Sequence, residues 1–257
     1  MKAKNIIRII VVAVIVLVSL SGCSQSVETH YSDYLNLTAT YPHSTESFTQ
    51  GLFFFNGEMF ESIGRYGNSA VFKGVSLESG GHSEEVRFEG GIFAEGSVVF
   101  EGKLYQLTWR ENKVFVMNPE TLEIIDEIPY SREGWGLTTD GKHLIASDGS
   151  SSLYFMDSDF NETKKLTVTF NGEEINNINE LEYIDGYIWA NVWLTEEILV
   201  INAQNGEVVK CIDFSGLYDN LSDNIDDTMN GIAYNPETEK IYITGKRWNT
   251  VFEFEIK

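Results

Sequence analysis

The chain repeats one pattern of about 45 residues five times, and this repeat restricts the possible folds more than any other feature. Each unit reads as an apolar strand, a tight turn, a second strand with aromatic residues, a third strand and usually a fourth. The units begin 40 to 51 residues apart, at Gly51, Gly96, Gly136, Glu180 and Gly231. Four strands in about 40 to 50 residues are the signature of a β-propeller blade. The sequence therefore predicts an all-β, five-bladed β-propeller rather than a β-sandwich or a barrel, neither of which needs a repeat.

The fifth unit is short, because the chain ends after its third strand pattern, VFEFEIK. The alternating stretch YLNLTATY, residues 34 to 41, can supply the missing outer strand. Pairing the two ends would close the ring and cover strand edges that otherwise promote aggregation. We therefore assign residues 34 to 257 to a single propeller domain whose last blade is closed by an N-terminal strand. The stretch SGLYDNLSDNIDDT, between the fourth and fifth units, shows no alternation and is expected to form a short helix or a loop.

Residues 1 to 22 have the form of a secretory signal peptide, with basic residues followed by an apolar stretch from Ile9 to Leu20. The motif LSGC at its end is similar to the signal of bacterial lipoproteins, which are cleaved before the cysteine. This predicts a bacterial lipoprotein, exported and membrane-anchored at the cell envelope by lipid on Cys23, on the outer face of the cytoplasmic membrane or in an outer membrane. Residues 23 to 33 would form a tether. The alternative is an ordinary cleaved signal with an incidental cysteine.

The formal net charge of −21 argues against a nucleic-acid partner, because a phosphate backbone must be met by clustered Lys and Arg. If Cys23 carries lipid, Cys211 has no disulfide partner, and the apolar run VVKCIDF indicates a packing role. The four histidines are scattered and form no zinc motif, so no cofactor is expected to be required. The segment DSDFNE begins like a calcium loop at Asp157 but has Glu162 where the turn needs Gly. We interpret it as a turn between strands, with a structural ion as the alternative, and take a monomer as the default.

In a propeller, the loops that lead into the innermost strands meet at one mouth of the central channel. Glu95, in GGIFAEGSVVF, is a charged residue in an otherwise apolar strand pattern, and a place at this mouth accounts for it. The corresponding positions of the other units, together with the ends of the second strands, add aromatic, amide and basic residues. They are Phe48, Gln50, Phe93, Trp109, Trp135, Asn179, Trp193, Asn230, Lys246, Arg247 and Trp248.

Several segments between about Tyr41 and the C-terminus form a characteristic series: YPHSTESFTQGLFF, FAEG, KLYQLTW, EGWGLTTDG, INELEYIDGYIWANVW, MNGIAY and YITGKRW. In order and spacing they closely resemble the glutamine cyclotransferases of the plant and bacterial type, which are five-bladed glutaminyl-peptide cyclotransferases (glutaminyl cyclases). The resemblance implies an acyltransferase that converts the N-terminal glutamine of peptides or proteins to pyroglutamate and releases ammonia, without a metal.

The resemblance also implies a role for each matched residue. Glu95 would be the catalytic acid and base. The substrate would be bound by Phe48, Gln50, Phe93, Trp109, Trp135, Asn179, Trp193 and Lys246. Ala94 and Ser97, on either side of the Glu95-Gly96 pair, depart from the family pattern and leave the rate and the substrate preference open.

The chemistry of this reaction explains why such residues would be needed. The α-amine, with a pKa of about 7.7 to 8.0, must lose a proton to attack the side-chain amide, and ammonia must be protonated as it leaves. One carboxyl can take the first proton and return it, and an apolar setting would raise the pKa of Glu95 toward that range.

Two other functions are compatible with a propeller. One is a lipid-anchored propeller that binds a peptide or a carbohydrate without reaction. The other is a metal-dependent lyase or lactonase, which would need His or carboxylate ligands around the axis. The inner positions of this sequence are mostly aromatic or amide residues, which disfavours the second alternative.

Overall fold

The computed structural model describes residues 27–220 and 224–257. The predicted signal peptide and the predicted lipidation site at Cys23 lie outside the described residues. Within the described ranges, no helix is both long enough and apolar enough to cross a membrane.

The secondary structure consists almost entirely of short strands grouped into blades. The N-terminal segment contains β1 (Val27–His30), the helical turn α1 (Tyr31–Tyr34) and β2 (Leu35–Pro42). Blade one contains β3 (Thr49–Phe55), β4 (Glu58–Ile63), β5 (Ala70–Lys73) and β6 (Glu84–Arg87). Blade two contains β7 (Ala94–Phe100), β8 (Lys103–Thr108), β9 (Lys113–Met117) and β10 (Ile124–Pro129). Blade three contains β11 (Leu137–Thr139), β12 (Leu144–Ser147), β13 (Ser152–Met156) and β14 (Glu162–Thr167).

A short hairpin, β15 (Thr169–Phe170) with β16 (Glu173–Glu174), connects blade three to blade four. Blade four contains β17 (Ile178–Ile184), β18 (Tyr187–Val192), β19 (Glu197–Asn202) and β20 (Val208–Asp213). Blade five contains β21 (Met229–Asn235), β22 (Lys240–Gly245) and β23 (Thr250–Ile256).

The blades form a closed ring, which confirms the five-bladed propeller predicted from the repeat. The innermost strands β3, β7, β11, β17 and β21 lie next to one another in this order, and β21 lies beside β3. Strand β2 pairs antiparallel with β23, from Leu35 opposite Ile256 to Pro42 opposite Thr250. The two ends of the chain therefore close blade five, as predicted for residues 34 to 41.

The core lies between neighbouring blades, because each strand alternates apolar side chains on faces that two blades share. Tyr105 of blade two and Leu144 of blade three, for example, belong to one buried cluster. Cys211 belongs to the cluster between blades three and four, where burial raises the pKa of its thiol to about 12. A buried, protonated thiol agrees with the packing role predicted for it.

The N-terminal segment is folded from Val27 onward, within the range that the sequence assigned to a tether. β1 pairs parallel with β20 at the outer edge of blade four. The ring of Tyr31 stacks on Phe214 with centroids 5.4 Å apart and meets the edge of Phe254 at 5.8 Å. These apolar contacts hold residues 27 to 34 against blades four and five, so this part of the predicted tether instead belongs to the folded domain.

The connection from β20 to β21 forms turns in its described parts, where the sequence allowed a short helix or a loop. Tyr218 of this connection stacks on Trp248 with ring centroids 4.3 Å apart, and Trp248 is buried. The contact anchors the connection beside the end of β22, where the functional site lies.

Candidate active site

A cavity of about 290 Å³ opens at the mouth of the ring where the innermost strands begin. Every residue that the sequence assigns to catalysis or substrate binding lines it, from all five blades: Phe48, Gln50, Phe93, Glu95, Trp109, Trp135, Asn179, Trp193 and Lys246. Arg247, which the sequence placed at the mouth without a role, also lines it, as do three residues that the sequence did not place there: Arg65, Asn224 and Asp226. The predicted convergence of distant segments at one mouth is therefore present in the fold.

Three polar residues of the cavity, Gln50, Glu95 and Asn179, lie in β-bulges at the start of the innermost strands. The pairing register shifts between Thr49 and Gly51, and between Ala94 and Ser97, which places Gln50 and Glu95 in the irregular positions. Equivalent shifts in blades four and five place Asn179 and Asn230 in the same way. A bulge turns a side chain away from the face that regular alternation would give it. The repeated bulge therefore explains how polar residues of apolar strands reach the channel mouth.

Glycines next to these bulges let neighbouring blades come close together. A Cβ atom on Gly96 would lie 2.5 Å from the backbone nitrogen of Leu137, and one on Gly136 would lie 2.1 Å from the backbone oxygen of Asn179. The backbone nitrogen of Gly96 donates to the oxygen of Trp135 at 2.7 Å. Glycine at these positions thus allows blades two, three and four to meet directly below the cavity.

Hydrogen bonds to its backbone oxygen fix Glu95 in place, and its side chain lines the cavity. Its backbone oxygen accepts hydrogen bonds from Ser62 Oγ at 2.6 Å and from Gln106 Nε2 at 2.7 Å. The side chain is only 5% exposed, and no described residue donates a hydrogen bond to its carboxyl. Burial raises its pKa well above the usual value; the charge of Lys246 opposes this rise, while Glu111 and Glu133 add to it. The carboxyl therefore holds a proton at higher pH than an exposed glutamate does.

Lys246 provides a buried positive charge in the site. Burial lowers the pKa of its ammonium group to about 8, although Glu95, Asp226 and Asp227 oppose the shift. Its Nζ lies 4.9 Å from the centre of the Phe48 ring. An ammonium ion held in this way remains mostly charged at pH 7 and can stabilise negative charge in the cavity.

Aromatic rings form the walls. Phe93 meets Phe48 edge to face at 6.4 Å and lies 5.5 Å from Trp109. On the other wall, the rings of Trp135 and Trp193 are perpendicular, with centroids 5.6 Å apart. These contacts fix the rings and leave a small cavity suited to a short, uncharged side chain.

Glu133, outside the cavity, connects two of these walls. Its Oε2 accepts hydrogen bonds from Nε1 of Trp109 at 2.9 Å and from Nε1 of Trp135 at 3.4 Å. Its Oε1 accepts one from Arg110 Nε at 2.8 Å. Partial burial raises the pKa of this carboxyl, but the hydrogen bonds and the charge of Arg110 outweigh burial and hold the pKa below its usual value. Glu133 is thus a charged group beside the cavity that orients two indoles.

Two buried carboxyls, absent from the sequence-based site, lie deeper in the channel. Glu180 accepts hydrogen bonds from the backbone nitrogens of Ile232 at 2.9 Å and Leu52 at 3.4 Å. Glu182 accepts one from Tyr234 at 2.8 Å. Burial raises the pKa of Glu180 well above its usual value and that of Glu182 to about 8. Their contacts connect blade four to blades one and five, which is a structural role.

Three other residues of the sequence analysis lie away from the cavity. Asn230 is buried behind Gln50, and Trp248 is packed in the core. At Asp157, the carboxylate accepts backbone N–H groups of Asp159 at 3.0 Å and Asn161 at 2.9 Å, so it closes the turn between β13 and β14. This geometry agrees with our interpretation of the segment as a turn.

Comparisons with known proteins point to a single family. A family model described as glutamine cyclotransferase matches residues 9–256. A glutaminyl-peptide cyclotransferase of Arabidopsis thaliana is 35% identical over 234 residues, which are 89% of this chain and 73% of the relative. The crystal structure of Myxococcus xanthus glutaminyl cyclase superposes with a TM-score of 0.83 at 34% identity, covering 91% of this chain and 99% of that one. The likeness thus extends over the whole propeller.

Proposed function

The chain belongs to the glutamine cyclotransferase family, and we infer that it is a glutaminyl-peptide cyclotransferase, which converts N-terminal glutamine of peptides to pyroglutamate. The observation that carries this inference is the position of Glu95, a buried carboxyl without a described hydrogen-bond donor, in a cavity lined by aromatic, amide and lysine side chains. The cavity can take one glutamine side chain together with its α-amine.

We propose that Glu95 moves the proton of the reaction. The substrate α-nitrogen attacks the side-chain amide carbon, a C–N bond forms and the five-membered lactam closes. Glu95 takes a proton from the attacking nitrogen and gives it to the side-chain nitrogen, whose bond to carbon then breaks to release ammonia. The raised pKa of Glu95 brings it closer to the α-amine pKa of about 7.7 to 8.0, which makes both transfers efficient.

The negative charge on the substrate oxygen needs donors when the carbon becomes tetrahedral. Lys246, Gln50 and Asn179 line the same cavity and carry N–H groups suited to this oxygen. Preorganised donors of this kind are among the largest contributions to acyl-transfer catalysis. The aromatic walls keep water from the tetrahedral centre, which favours cyclisation over hydrolysis.

We also propose that the protein is an exported monomer, anchored to the membrane by lipid on Cys23. The sequence motif LSGC supports this, and the folded domain from Val27 leaves residues 23 to 26 as the tether. Expression of the full chain and of Cys23→Ala tests the anchor. The native chain should sediment with membranes and the variant should not; an unchanged distribution would contradict the proposal.

Incubation of the purified protein with a glutaminyl dipeptide tests the activity. We expect release of one ammonia per peptide and a product with a blocked N-terminus. The matched asparaginyl dipeptide is the control, because its shorter side chain would have to close a four-membered ring and should not react. Binding of the glutaminyl peptide without ammonia would instead support the alternative of a non-catalytic peptide-binding propeller.

A further inference from the structure

One position recurs in each blade at the end of the propeller where the cavity opens. It is the second residue after the second strand of the blade, that is, after β4, β8, β12, β18 and β22. The five residues at this position are Arg65, Arg110, Gly149, Leu194 and Arg247. Trp109, Trp193 and Lys246, which directly precede Arg110, Leu194 and Arg247, line the cavity.

The backbone at this position favours glycine in most blades. Gly149 has a φ of 79°, and Arg65, Leu194 and Arg247 have φ values of 110°, 69° and 60°. Such values are sterically unfavourable for residues with a Cβ and persist only where the surrounding structure imposes them. At Arg65 the backbone oxygen accepts hydrogen bonds from Asn68 N at 2.9 Å and from Ser69 Oγ at 3.0 Å. The fold thus holds a large basic side chain where glycine would be less strained.

Three of the five residues are arginines, and two of them already have an anionic partner. Arg110 donates to Glu133 at 2.8 Å, and Arg247 donates from Nε to Asp227 at 2.7 Å. The guanidinium of Arg65 lines the cavity and lies 5.8 Å from the centre of the Phe48 ring. Among the described residues, no acceptor receives a hydrogen bond from it. Its five N–H donors are therefore available to a ligand at the mouth.

The chemistry of the substrate identifies this ligand. A glutaminyl residue in the cavity must continue outward as a peptide, and its second residue then passes the ring of residues just described. The one group that every second residue offers there is its main-chain carbonyl oxygen, a good acceptor for a guanidinium. Tyr66, which is 52% accessible and lies 5.4 Å from the ring of Phe93, gives apolar surface at the mouth.

We propose that Arg65 binds the main-chain carbonyl of the residue that follows the N-terminal glutamine, and so makes the enzyme select peptides over single-residue glutamine derivatives. This proposal rests on the cyclotransferase function inferred above. It adds a residue that determines specificity outside the pocket for the glutamine side chain.

Two substrates that differ only in the second residue test it: glutaminamide and glutaminyl-alaninamide. The measured quantity is the ratio of kcat/KM for the longer substrate to that for the shorter. Arg65→Gly should lower this ratio about tenfold, the loss of one charge-assisted hydrogen bond, and Arg65→Lys should recover part of it. Because glycine suits a φ of 110°, Arg65→Gly should melt no lower than the native protein.

The control is Glu239→Gly, another residue with positive φ, at the turn between β21 and β22 at the far end of blade five. It should leave the ratio unchanged. A ratio within twofold of the native value in Arg65→Gly, or an equal fall for both substrates, would overturn the proposal. Failure of the native protein to release ammonia from either substrate would instead reject the cyclotransferase function itself.

Discussion

Asn230 donates a hydrogen bond from its side-chain nitrogen to Oε1 of Gln50, with 3.2 Å between the two atoms. The same nitrogen donates to the backbone oxygen of Thr49 at 2.9 Å, and Asn230 is fully buried. Because Oε1 of Gln50 is occupied, the amide nitrogen of Gln50 is left with its two N–H donors for the cavity. Asn230 therefore orients a residue that touches the substrate without touching the substrate itself.

Replacement of Asn230 by alanine should lower kcat/KM about tenfold, because Gln50 remains but its amide is no longer fixed. In a Gln50→Ala background, Asn230→Ala should lower kcat/KM by less than twofold, because the two residues act through one contact. Asn235→Ala, at the opposite end of β21, is the control for loss of a buried asparagine. Additive losses in the double variant would show that Asn230 acts independently of Gln50.

Glu133→Gln removes a negative charge next to the cavity but keeps an acceptor for the indole N–H groups. The charge of Glu133 raises the pKa of Glu95, so its removal should lower that pKa. The acid limb of the pH dependence of kcat/KM should then move to lower pH by a few tenths of a unit. Glu127→Gln, which removes an exposed carboxylate paired with Lys113, should leave the limb in place. A shift to higher pH would contradict this electrostatic role.

Lys246→Met should change both limbs of the pH profile. The pKa of Lys246 is about 8, so the native enzyme should lose the ammonium charge, and with it activity, as the pH rises through this value. The Lys246→Met variant should not lose activity in this pH range, and its rate should be below the native rate at every pH. Because the charge of Lys246 holds down the pKa of Glu95, the acid limb should move to higher pH in the variant. Lys142→Met, at the turn between β11 and β12, is the control. A pH profile of Lys246→Met that matches the native one would contradict the role assigned to Lys246.

The repeat in the sequence was sufficient to predict the five blades, the closing strand and the meeting of Gln50, Glu95 and Asn179 at one mouth. All of these follow from local strand patterns and from the symmetry of a propeller. The buried Glu180 could not be recognised, because its donors Leu52 and Ile232 are 128 and 52 residues away in the sequence. In the strand pattern INELEY, Glu180 occupies the position at which the other four units have glycine.

The special position of Arg65 was hidden for a different reason. Its importance depends on the backbone φ angle and on which of three equivalent arginines already has a partner, and neither property can be read from residue type. The folding of residues 27 to 33 onto the propeller was missed because the segment is short and mostly polar. Tyr31 carries its main apolar contact, and one aromatic residue gives no periodic signal.

Glu182 predicts a specific dependence of stability on pH. Its pKa is about 8 in the folded protein and about 4.3 in the unfolded chain, so the carboxyl is protonated when folded but ionised when unfolded between these values. The native protein should therefore lose stability as the pH rises from about 4.3 to 8, by roughly 2 to 4 kcal/mol. Glu182→Gln should lose less stability over this range, although the loss due to Glu180 and Glu95 remains, and urea unfolding at pH 5 and pH 8 measures the difference. Glu58→Gln, at an exposed carboxyl, is the control; an equal pH dependence in native and Glu182→Gln proteins would contradict the prediction.

The most direct test of the account is the rate of ammonia release from a glutaminyl dipeptide by Glu95→Gln. Glutamine keeps the shape of the buried side chain but cannot accept and return a proton. We predict a fall in kcat of about 10² to 10⁴, with KM within about threefold and a melting temperature no lower than that of the native protein. Ammonia release at a rate close to that of the native protein would contradict the central claim that Glu95 carries the proton.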